Sequence, residues 1–326
     1  MKDLLAEAAR ALADASEVAI AAHVNPDADA LGSALGLSNF LRARGASTVC
    51  SFPNEPYHPP RWVELLPGND ALVPPREFPK APAVMVTCDV ASTDRLGMLA
   101  PAAAKAETLV WIDHHVSNEG HGTIPLIDPT ASSTAEVVWR LLREMGGEIS
   151  EASAVCLYAG VVTDTGRFQY EAVTPQTLRL GAELREYAFD HTRLVQGLYE
   201  DNGLAYLRLL GVALERIALE PDADLVWSYL TQADLGSAGV HPAETDDLID
   251  VVRTAREADV TAVIKEQIDG RFKVSLRSKR GHDVAAVAAQ FGGGGHRLAA
   301  GYTSPHGLAE TVDRLKAALR APGHGA

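Results

Sequence analysis

A histidine and two aspartates lie close together near the amino terminus, in a pattern that could bind metal. An apolar run, Val18 to Ala22, is followed by His23, and Asp27 and Asp29 then precede a helical pattern over 30–44. One aspartate could simply cap this helix, but a cap accounts for neither the second aspartate nor the histidine. Two carboxylates this close repel each other unless a cation lies between them. The stretch therefore predicts metal ligands at the carboxyl end of a strand.

Three later segments end in the same residue types. Asp89 lies near the end of the apolar run 83–90, the short strand 108–112 leads into Asp113-His114-His115, and Asp164 ends an apolar helix. Mixed imidazole and carboxylate ligands suit Mn²⁺, Fe²⁺, Co²⁺ or Zn²⁺, and the excess of carboxylates favours Mn²⁺. Two divalent cations would balance the four aspartates, clamp a phosphoryl group and activate a water. Chemistry of this kind hydrolyses phosphoesters.

The elements that must position these residues alternate along the chain. Apolar strands alternate with helices of ordinary length, which indicates βαβ units and a parallel sheet with its active edge at the carboxyl ends of the strands. The strands are predicted at 18–22, 47–52, 83–90 and 108–112, and the helices at 30–44, 94–106, 134–146 and 150–164. The fold class is therefore α/β.

The second part of the chain has a different pattern. Polar helical segments over 174–200 lead to strands predicted at 225–231, 260–267 and 272–277, with a hairpin turn between the last two. A run of four glycines, 292–295, then precedes His296. Glycines can turn their N–H groups toward an oxyanion, although a flexible loop is the alternative interpretation. A length of 326 residues likewise suggests two domains.

Composition narrows the choice of partners and compartment. The net charge of −14 argues against a surface for long nucleic acids, because such surfaces concentrate Lys and Arg. An anionic substrate is still compatible if metal ions supply positive charge locally. The acidic amphipathic start and the lack of long apolar runs predict a cytoplasmic protein with no membrane contact. Cys50, Cys88 and Cys156 each lie in an apolar stretch, which predicts buried, reduced thiols.

Five ordered blocks resemble a known family. They are His-x-Asn-Pro-Asp-x-Asp-Ala-x-Gly-Ser from His23, Thr-Cys-Asp at 87–89, Asp-His-His at 113–115, Thr-Asp-Thr-Gly at 163–166 and Gly-Gly-Gly-Gly-His-x-x-Ala-Ala-Gly at 292–301. The first four resemble the motifs of the DHH phosphoesterases. The fifth is similar to the DHH-associated C-terminal domain of nanoRNase/pAp-phosphatase members. The resemblance covers nearly the whole chain, and five blocks in order are far more specific than Asp-His-His alone.

The resemblance implies roles for individual residues. His23, Asp27 and Asp89 would hold one metal ion, and the other would be held by Asp29, Asp89, His114 and Asp164, so that Asp89 bridges the two. The resemblance also implies that His115 faces the scissile phosphate as a catalytic group, with Asp113 beside it in a supporting position. The alternative for His115 is that it only orients ligands. In the second domain, Arg277, Gly294, Gly295 and His296 would bind the far end of the substrate.

These implications give an expected domain plan and activity. A catalytic domain over 1–188, a helical linker over 189–204 and a smaller α/β substrate-binding domain over 205–326 would place the active site in the cleft between the domains. The resemblance suggests a dimanganese enzyme that hydrolyses short RNA oligonucleotides, linear or cyclic dinucleotides, or pAp. Manganese-dependent pyrophosphatase, RecJ-like single-strand exonuclease and non-catalytic nucleotide sensor are the alternatives. A homodimer is suggested by the resemblance alone.

Overall fold

The computed structural model describes residues 1–118 and 120–320, which divide into two compact units, Met1–Asp201 and the chain from Asn202 onward. The regular elements described in the first unit are α1 (Lys2–Ala13), β1 (Glu17–Ala22), α2 (Ala28–Ala43), β2 (Ser47–Ser51), β3 (Val84–Cys88), α3 (Ala100–Ala103), β4 (Thr108–Asp113), β5 (Ile124–Ile127), α4 (Thr134–Met145), α5 (Glu151–Asp164), α6 (Pro175–Leu184) and α7 (His191–Tyr199). Those described in the second unit are α8 (Leu204–Glu215), β6 (Ala218–Glu220), β7 (Leu225–Leu230), α9 (Gln232–Ala238), α10 (Leu248–Val252), β8 (Val260–Glu266), β9 (Phe272–Ser278), α11 (Val284–Ala289), β10 (Gly294–His296), β11 (Ala299–Ser304) and α12 (Leu308–Arg320).

The sheet of the first unit is parallel, with strand order β2-β1-β3-β4-β5. Its central strands are buried on both faces, which their continuous apolar runs predict. Ala22, Cys88 and Ile112 pair in register on three neighbouring strands. His23 and Asp89 therefore emerge side by side, next to the last residue of β4. The sequence did not predict β5, which has four residues, one of them a proline.

Two helices that carry site residues pack closely against each other. Helix α2 begins beside Asp29, and α5 ends at Asp164. A Cβ atom placed on Gly32 would lie 2.4 Å from the carbonyl oxygen of Cys156, and one on Gly160 would lie 2.7 Å from Oδ1 of Asp29. The absence of side chains at these glycines allows the two helices to approach, which brings the two aspartates to the same end of the sheet.

We expect Gly32→Ala to destabilise the protein by about 1–3 kcal/mol, because the added methyl group meets a backbone atom that cannot rotate away. The measurement is the midpoint of urea unfolding. Gly211→Ala is the matched control, because Gly211 lies in helix α8 and an added Cβ would contact nothing within 4 Å. The control should be neutral or slightly stabilising. Equal midpoints for the two variants would show that α2 and α5 can move apart freely.

One predicted helix differs in the structure. Residues 94–106, predicted as one helix, form a 3₁₀ segment, Thr93–Leu99, followed by the four-residue helix α3. Gly97 adopts a φ of 45°, which interrupts helical geometry, so the prediction of a continuous helix was wrong. The three cysteines are buried and unpaired, as predicted. Within residues 1–118 and 120–320, no helix combines the length and the apolar character needed to cross a membrane.

The second unit is built on a mixed sheet with strand order β10-β11-β9-β8-β7-β6. Alternate residues of β9 are buried in a core with α11 and α12, and helices α8 to α10 cover the opposite face at β7 and β8. The glycine run is not an open loop, because Gly294–His296 forms β10 and pairs with β11. The predicted α/β class, with a parallel sheet in the first unit and a second, smaller α/β unit, is confirmed.

Candidate active site

Asp89 lies at the centre of the candidate site, directly after β3. Its Oδ2 is 3.3 Å from Nε2 of His23, and its Oδ1 is 3.7 Å from Nε2 of His114. The backbone at Asp89 has a φ of 62°, a left-handed conformation that aspartate tolerates better than most residues. Its amide donates to the carbonyl of Ile112 at 3.0 Å, which fixes the turn. The two oxygens of one buried carboxylate therefore face two different histidines.

His23, Asp27 and Asp89 form the first group of candidate ligands. Nδ1 of His23 lies 2.8 Å from the carbonyl oxygen of Val24, and Nε2 lies 3.8 Å from Oδ2 of Asp27. In the tautomer that donates from Nδ1 to this carbonyl, the lone pair of Nε2 faces the carboxylates, the arrangement typical of a metal-binding histidine. Oδ1 of Asp27 accepts from the amides of Asp29 and Ala30. Asp27 therefore caps α2 with one oxygen and presents the other to His23.

The second group gathers around His114 in the same manner. Nε2 of His114 lies 3.3 Å from Oδ2 of Asp164 and 4.0 Å from Oδ2 of Asp29. Nδ1 lies 3.3 Å from the carbonyl oxygen of Ala131, so this imidazole is also oriented by a backbone carbonyl. The two candidate histidines thus share one arrangement, in which the ring nitrogen nearest to the backbone is held and the other faces carboxylates.

Hydrogen bonds from the amino terminus of α4 hold the carboxylates of the second group in place. The amides of Thr134 and Ala135 donate to the two oxygens of Asp29 at 2.7 and 2.9 Å, and the hydroxyl of Thr134 donates to Oδ1 of Asp89 at 2.9 Å. The positive end of the helix dipole favours this negative charge. From the sequence, this stretch was only the start of a helix predicted over 134–146. The missed signal was that this helix follows β5, at the same edge of the sheet.

The buried carboxylates and imidazoles of the site shift each other's pKa. Burial by itself lowers the pKa of His23, but Asp27 and Asp89 outweigh it and raise that pKa to about 10. Burial together with neighbouring carboxylates raises the pKa of Asp164 to about 7 and that of Asp29 well above its ordinary range. A divalent cation bound among these groups would compete with their protons and release them.

The donor atoms suit divalent cations. His23, Asp27 and Asp89 offer one ligand atom each within 4.8 Å of one another, and so do Asp29, Asp89 and His114. Imidazole nitrogens and carboxylate oxygens in such groups are the ligands of Mn²⁺, Fe²⁺ and Zn²⁺. The residues present therefore fit a metal centre. Asp89 belongs to both groups, and Asp164 lies beside the second through its contact with His114.

His115 and Asp113 form a separate pair next to Asp89. Asp113 is fully buried and accepts from Nδ1 of His115 at 2.7 Å and from the amide group of Asn118 at 2.7 Å. Nδ1 of His115 is also 3.6 Å from Oδ1 of Asp89. Burial lowers the pKa of His115, but Asp113 and Asp89 more than offset this and raise it. An imidazolium beside the cluster is thus stabilised, and Asp113 supports it from the side away from solvent.

Arg95 lies at the edge of the first group and was not singled out from the sequence. Its guanidinium Nη2 is 3.0 Å from Nδ1 of His23, and its carbonyl accepts from the amide of Val24 at 2.9 Å. The side chain is exposed. The only sequence signal was a cation six residues after Asp89, in a segment wrongly predicted as a regular helix. Its position becomes meaningful only when the segment folds back against the His23 loop.

The candidate residues of the second unit lie on three adjacent strands. Arg277 on β9 pairs with Ala299 on β11, and Ala299 pairs with His296 on β10. Gly294 and Gly295 are exposed. A Cβ on Gly295 would lie 2.5 Å from the carbonyl oxygen of Ala299, whereas one on Gly294 would meet nothing within 4 Å. Packing within this unit therefore explains the glycine at 295 but not the one at 294.

Comparisons with known proteins agree with this arrangement. Residues 17–161 match the DHH family N-terminal domain, and residues 223–321 match the DHHA1 domain. The "Bifunctional oligoribonuclease and PAP phosphatase NrnA" of Thermus thermophilus is 33% identical over 285 residues, which are 87% of this chain and 83% of the relative. The protein of the same name from Bacillus subtilis is 29% identical, over 86% of each chain. The crystal structure of an exopolyphosphatase-related protein from Bacteroides fragilis superposes with a TM-score of 0.88 and 26% identity, covering 98% of this chain and 96% of that chain.

The parallel sheet, the cluster at its carboxyl edge and these matches define the class of protein. The chain is a hydrolase with a phosphoesterase fold. It belongs to the DHH family and carries the associated DHHA1 domain.

Proposed function

We propose that the protein is a two-metal phosphoesterase, with Mn²⁺ as the preferred ion, that hydrolyses short oligoribonucleotides to mononucleotides and pAp to AMP and phosphate. The observation that carries this proposal is the position of Asp89. One oxygen faces His23 and the other faces His114, at 3.3 and 3.7 Å, and the candidate ligand groups around the two histidines share this single carboxylate. A shared carboxylate between two such groups is what a pair of bridged cations requires.

The residues of the chain have separate tasks in this proposal. Two divalent cations, when bound, would polarise the phosphoryl oxygens and lower the pKa of the attacking water. Asp29 is kept in place by the amides at the start of α4, and Thr134 orients Asp89. His115, oriented by Asp113, donates a proton to the leaving oxygen or stabilises the charge that develops on it. Arg95 offers a guanidinium to a phosphoryl oxygen at the edge of the site.

The choice of substrate rests on the relatives and on the second unit. NrnA relatives are named for oligoribonuclease and pAp phosphatase activity, and they match most of this chain. The second unit offers Arg277 and the strand Gly294–His296, whose two glycines are exposed, for the end of a nucleotide away from the scissile bond. The net charge of −14 supports short substrates over long strands, because phosphate-tracking surfaces are rich in Lys and Arg.

The test is a side-by-side turnover panel on the full chain, before and after metal removal. We expect pAp and di- to pentanucleotides to be hydrolysed with Mn²⁺ present, and chelator-treated protein to lose roughly a thousandfold or more in rate and to recover on addition of Mn²⁺. Phosphate and mononucleotide release are the readouts.

The same panel separates the alternatives. Preferred turnover of inorganic pyrophosphate would indicate a pyrophosphatase, and processive degradation of a long single strand would indicate an exonuclease. Tight nucleotide binding without any turnover would indicate a sensor. Any of these three results would contradict the proposed function.

A further inference from the structure

Strand β9 presents three polar side chains in a row on the face of the sheet away from its core. Phe272, Val274 and Leu276 are buried, whereas the alternate residues Lys273, Ser275 and Arg277 are half-buried. Alternate residues on a strand lie about 7 Å apart and point the same way. The row therefore places a cation, a hydroxyl and a second cation at regular steps, starting at Arg277 and continuing toward the hairpin turn.

On the β11 side, small residues border this row. On the neighbouring strand β11, the residues paired with Arg277, Ser275 and Lys273 are Ala299, Gly301 and Thr303. Beyond them Gly294 is paired with Gly301, and a Cβ on Gly294 would point into open space. Small residues next to a row of cations leave room for a chain of phosphates and sugars to lie along the strand.

Lys273 shares its carboxylate partner with a buried lysine. Lys273 is paired in register with Lys265 on β8, and both ammonium groups contact the single carboxylate of Asp246. Lys265 is only 3% exposed and also donates to Thr245, so it needs the carboxylate to balance its buried charge. Although burial opposes it, the two lysines lower the pKa of Asp246, which therefore stays ionised.

Lys265 is held by Asp246 and also lies close enough to Asp247 to interact with it electrostatically, so its buried charge does not depend on Lys273. The contacts from Lys273 to Asp246 are 3.2 and 3.4 Å, and the Lys273 side chain is 38% exposed. Lys273 can therefore turn to an anion in solvent while Asp246 remains paired with Lys265. A lysine placed only for solubility would not be expected in register with a buried lysine, because like charges on adjacent strands destabilise a sheet.

We propose that Lys273 is a length-specificity residue, which binds the phosphate two steps beyond the one held by Arg277 in oligoribonucleotides of four or more nucleotides. The proposal rests on the proposed function of the same chain. A ligand with one phosphate at Arg277 gains nothing from Lys273, whereas each added nucleotide brings a phosphate one step further along β9. Ser275, between the two cations, offers a hydroxyl to the connecting backbone.

The experiment compares Lys273→Met with wild-type protein on ligands of increasing length. Dissociation constants are measured for di- and tetranucleotides with slowly hydrolysed phosphorothioate linkages, together with kcat/KM for pAp and for the natural oligonucleotides. We expect the variant to bind the tetranucleotide roughly fivefold to tenfold more weakly, with dinucleotide and pAp values within about twofold of wild type. The salt dependence of tetranucleotide binding should fall by about 0.7 in logarithmic slope, the contribution of one phosphate contact on a single strand.

Lys316→Met is the matched control, because Lys316 lies on α12 of the same unit and pairs with Glu220. It should bind both ligands as wild type does. Equal losses on short and long ligands, or no loss on either, would overturn the role of Lys273. Wild-type protein that binds and cleaves no oligonucleotide would instead overturn the proposed function, and thereby also this inference. Circular dichroism of each variant separates a binding loss from misfolding.

Discussion

Asp89→Asn should abolish hydrolysis of every substrate while leaving the fold intact. The amide is neutral, and its nitrogen cannot serve as a ligand in place of the carboxylate oxygen that faces His23 or His114. Losing the shared ligand of both groups should lower kcat by roughly 10³-fold or more, which is about 4 kcal/mol of transition-state stabilisation. Turnover of pAp and a dinucleotide, together with metal content after dialysis, are the measurements.

Retained folding is expected because Asn is close to Asp in size and the electrostatic effects of the change oppose each other. The carboxylates around Asp89 raise the pKa of Asp29 and Asp164, which shows that they repel each other. Burial raises the pKa of Asp89, but the neighbouring imidazoles outweigh it and lower that pKa, so removing the charge relieves repulsion and also removes a favourable pairing. Thermal stability of the metal-free variant should therefore stay close to that of metal-free wild type. Asp94→Asn, at an exposed position five residues further on, is the control and should keep full activity. Two bound cations and near-normal turnover in Asp89→Asn would rule out the bridging role.

Much of this site could be predicted because its residues follow strands that are easy to recognise. Val18 to Ala22 and 108–112 are continuous apolar runs, and parallel strands align their carboxyl ends. The prediction that His23, Asp89 and His114 meet at one edge needed no long-range information beyond this rule. Through the register of β1, β3 and β4, the structure places a carboxylate oxygen of Asp89 3.3 Å from His23 and the other 3.7 Å from His114.

What sequence reasoning missed depends on backbone atoms and on irregular segments. The carbonyls of Val24 and Ala131 orient the two histidines, and any residue type could supply them. The amides that hold Asp29 come from the start of α4, more than a hundred positions along the chain, and depend on the unpredicted strand β5. Arg95 lies in a 3₁₀ segment whose periodicity was interpreted as a regular helix. Such contacts are set by tertiary packing rather than by local pattern.

The glycine run is another feature that the sequence alone did not explain correctly. Composition indicated a loop that could present N–H groups, but Gly293 and Gly295 lie against the backbone of β11, where a Cβ would come within 2.2 and 2.5 Å of carbonyl oxygens. Close approach of two strands, rather than flexibility, explains these two glycines. An added Cβ at Gly292 or Gly294 would meet nothing within 4 Å, but Gly292 has a φ of 76°, which favours glycine. Gly294 is therefore the member of the run that neither packing nor backbone conformation explains.

His115→Ala should lower kcat on every substrate by roughly 10²-fold or more, since general acids contribute factors of about 10² to 10⁴. The imidazole lies beside Asp89 and is oriented by Asp113. In the proposed function it acts on the phosphoryl group being transferred, which all substrates share. A small activated phosphodiester with no nucleotide beyond the scissile bond should therefore be affected too. If His115 protonates the leaving oxygen, the loss should be smaller on that substrate, because an activated leaving group needs less protonation, but it should not vanish.

Arg277→Ala provides the comparison that separates chemistry from substrate binding. Arg277 lies on β9 of the second unit. In the proposed function it contributes only when the substrate has a far end to hold. Its loss should lower kcat/KM for pAp and dinucleotides by roughly tenfold, about 1.4 kcal/mol for a charge-assisted contact, and leave the small diester unchanged. Equal losses on both substrates in Arg277→Ala would make that residue structural. A His115→Ala enzyme that cleaves pAp, dinucleotides and the small diester at the wild-type rate would remove His115 from the chemistry and leave it as a group that only orients its neighbours.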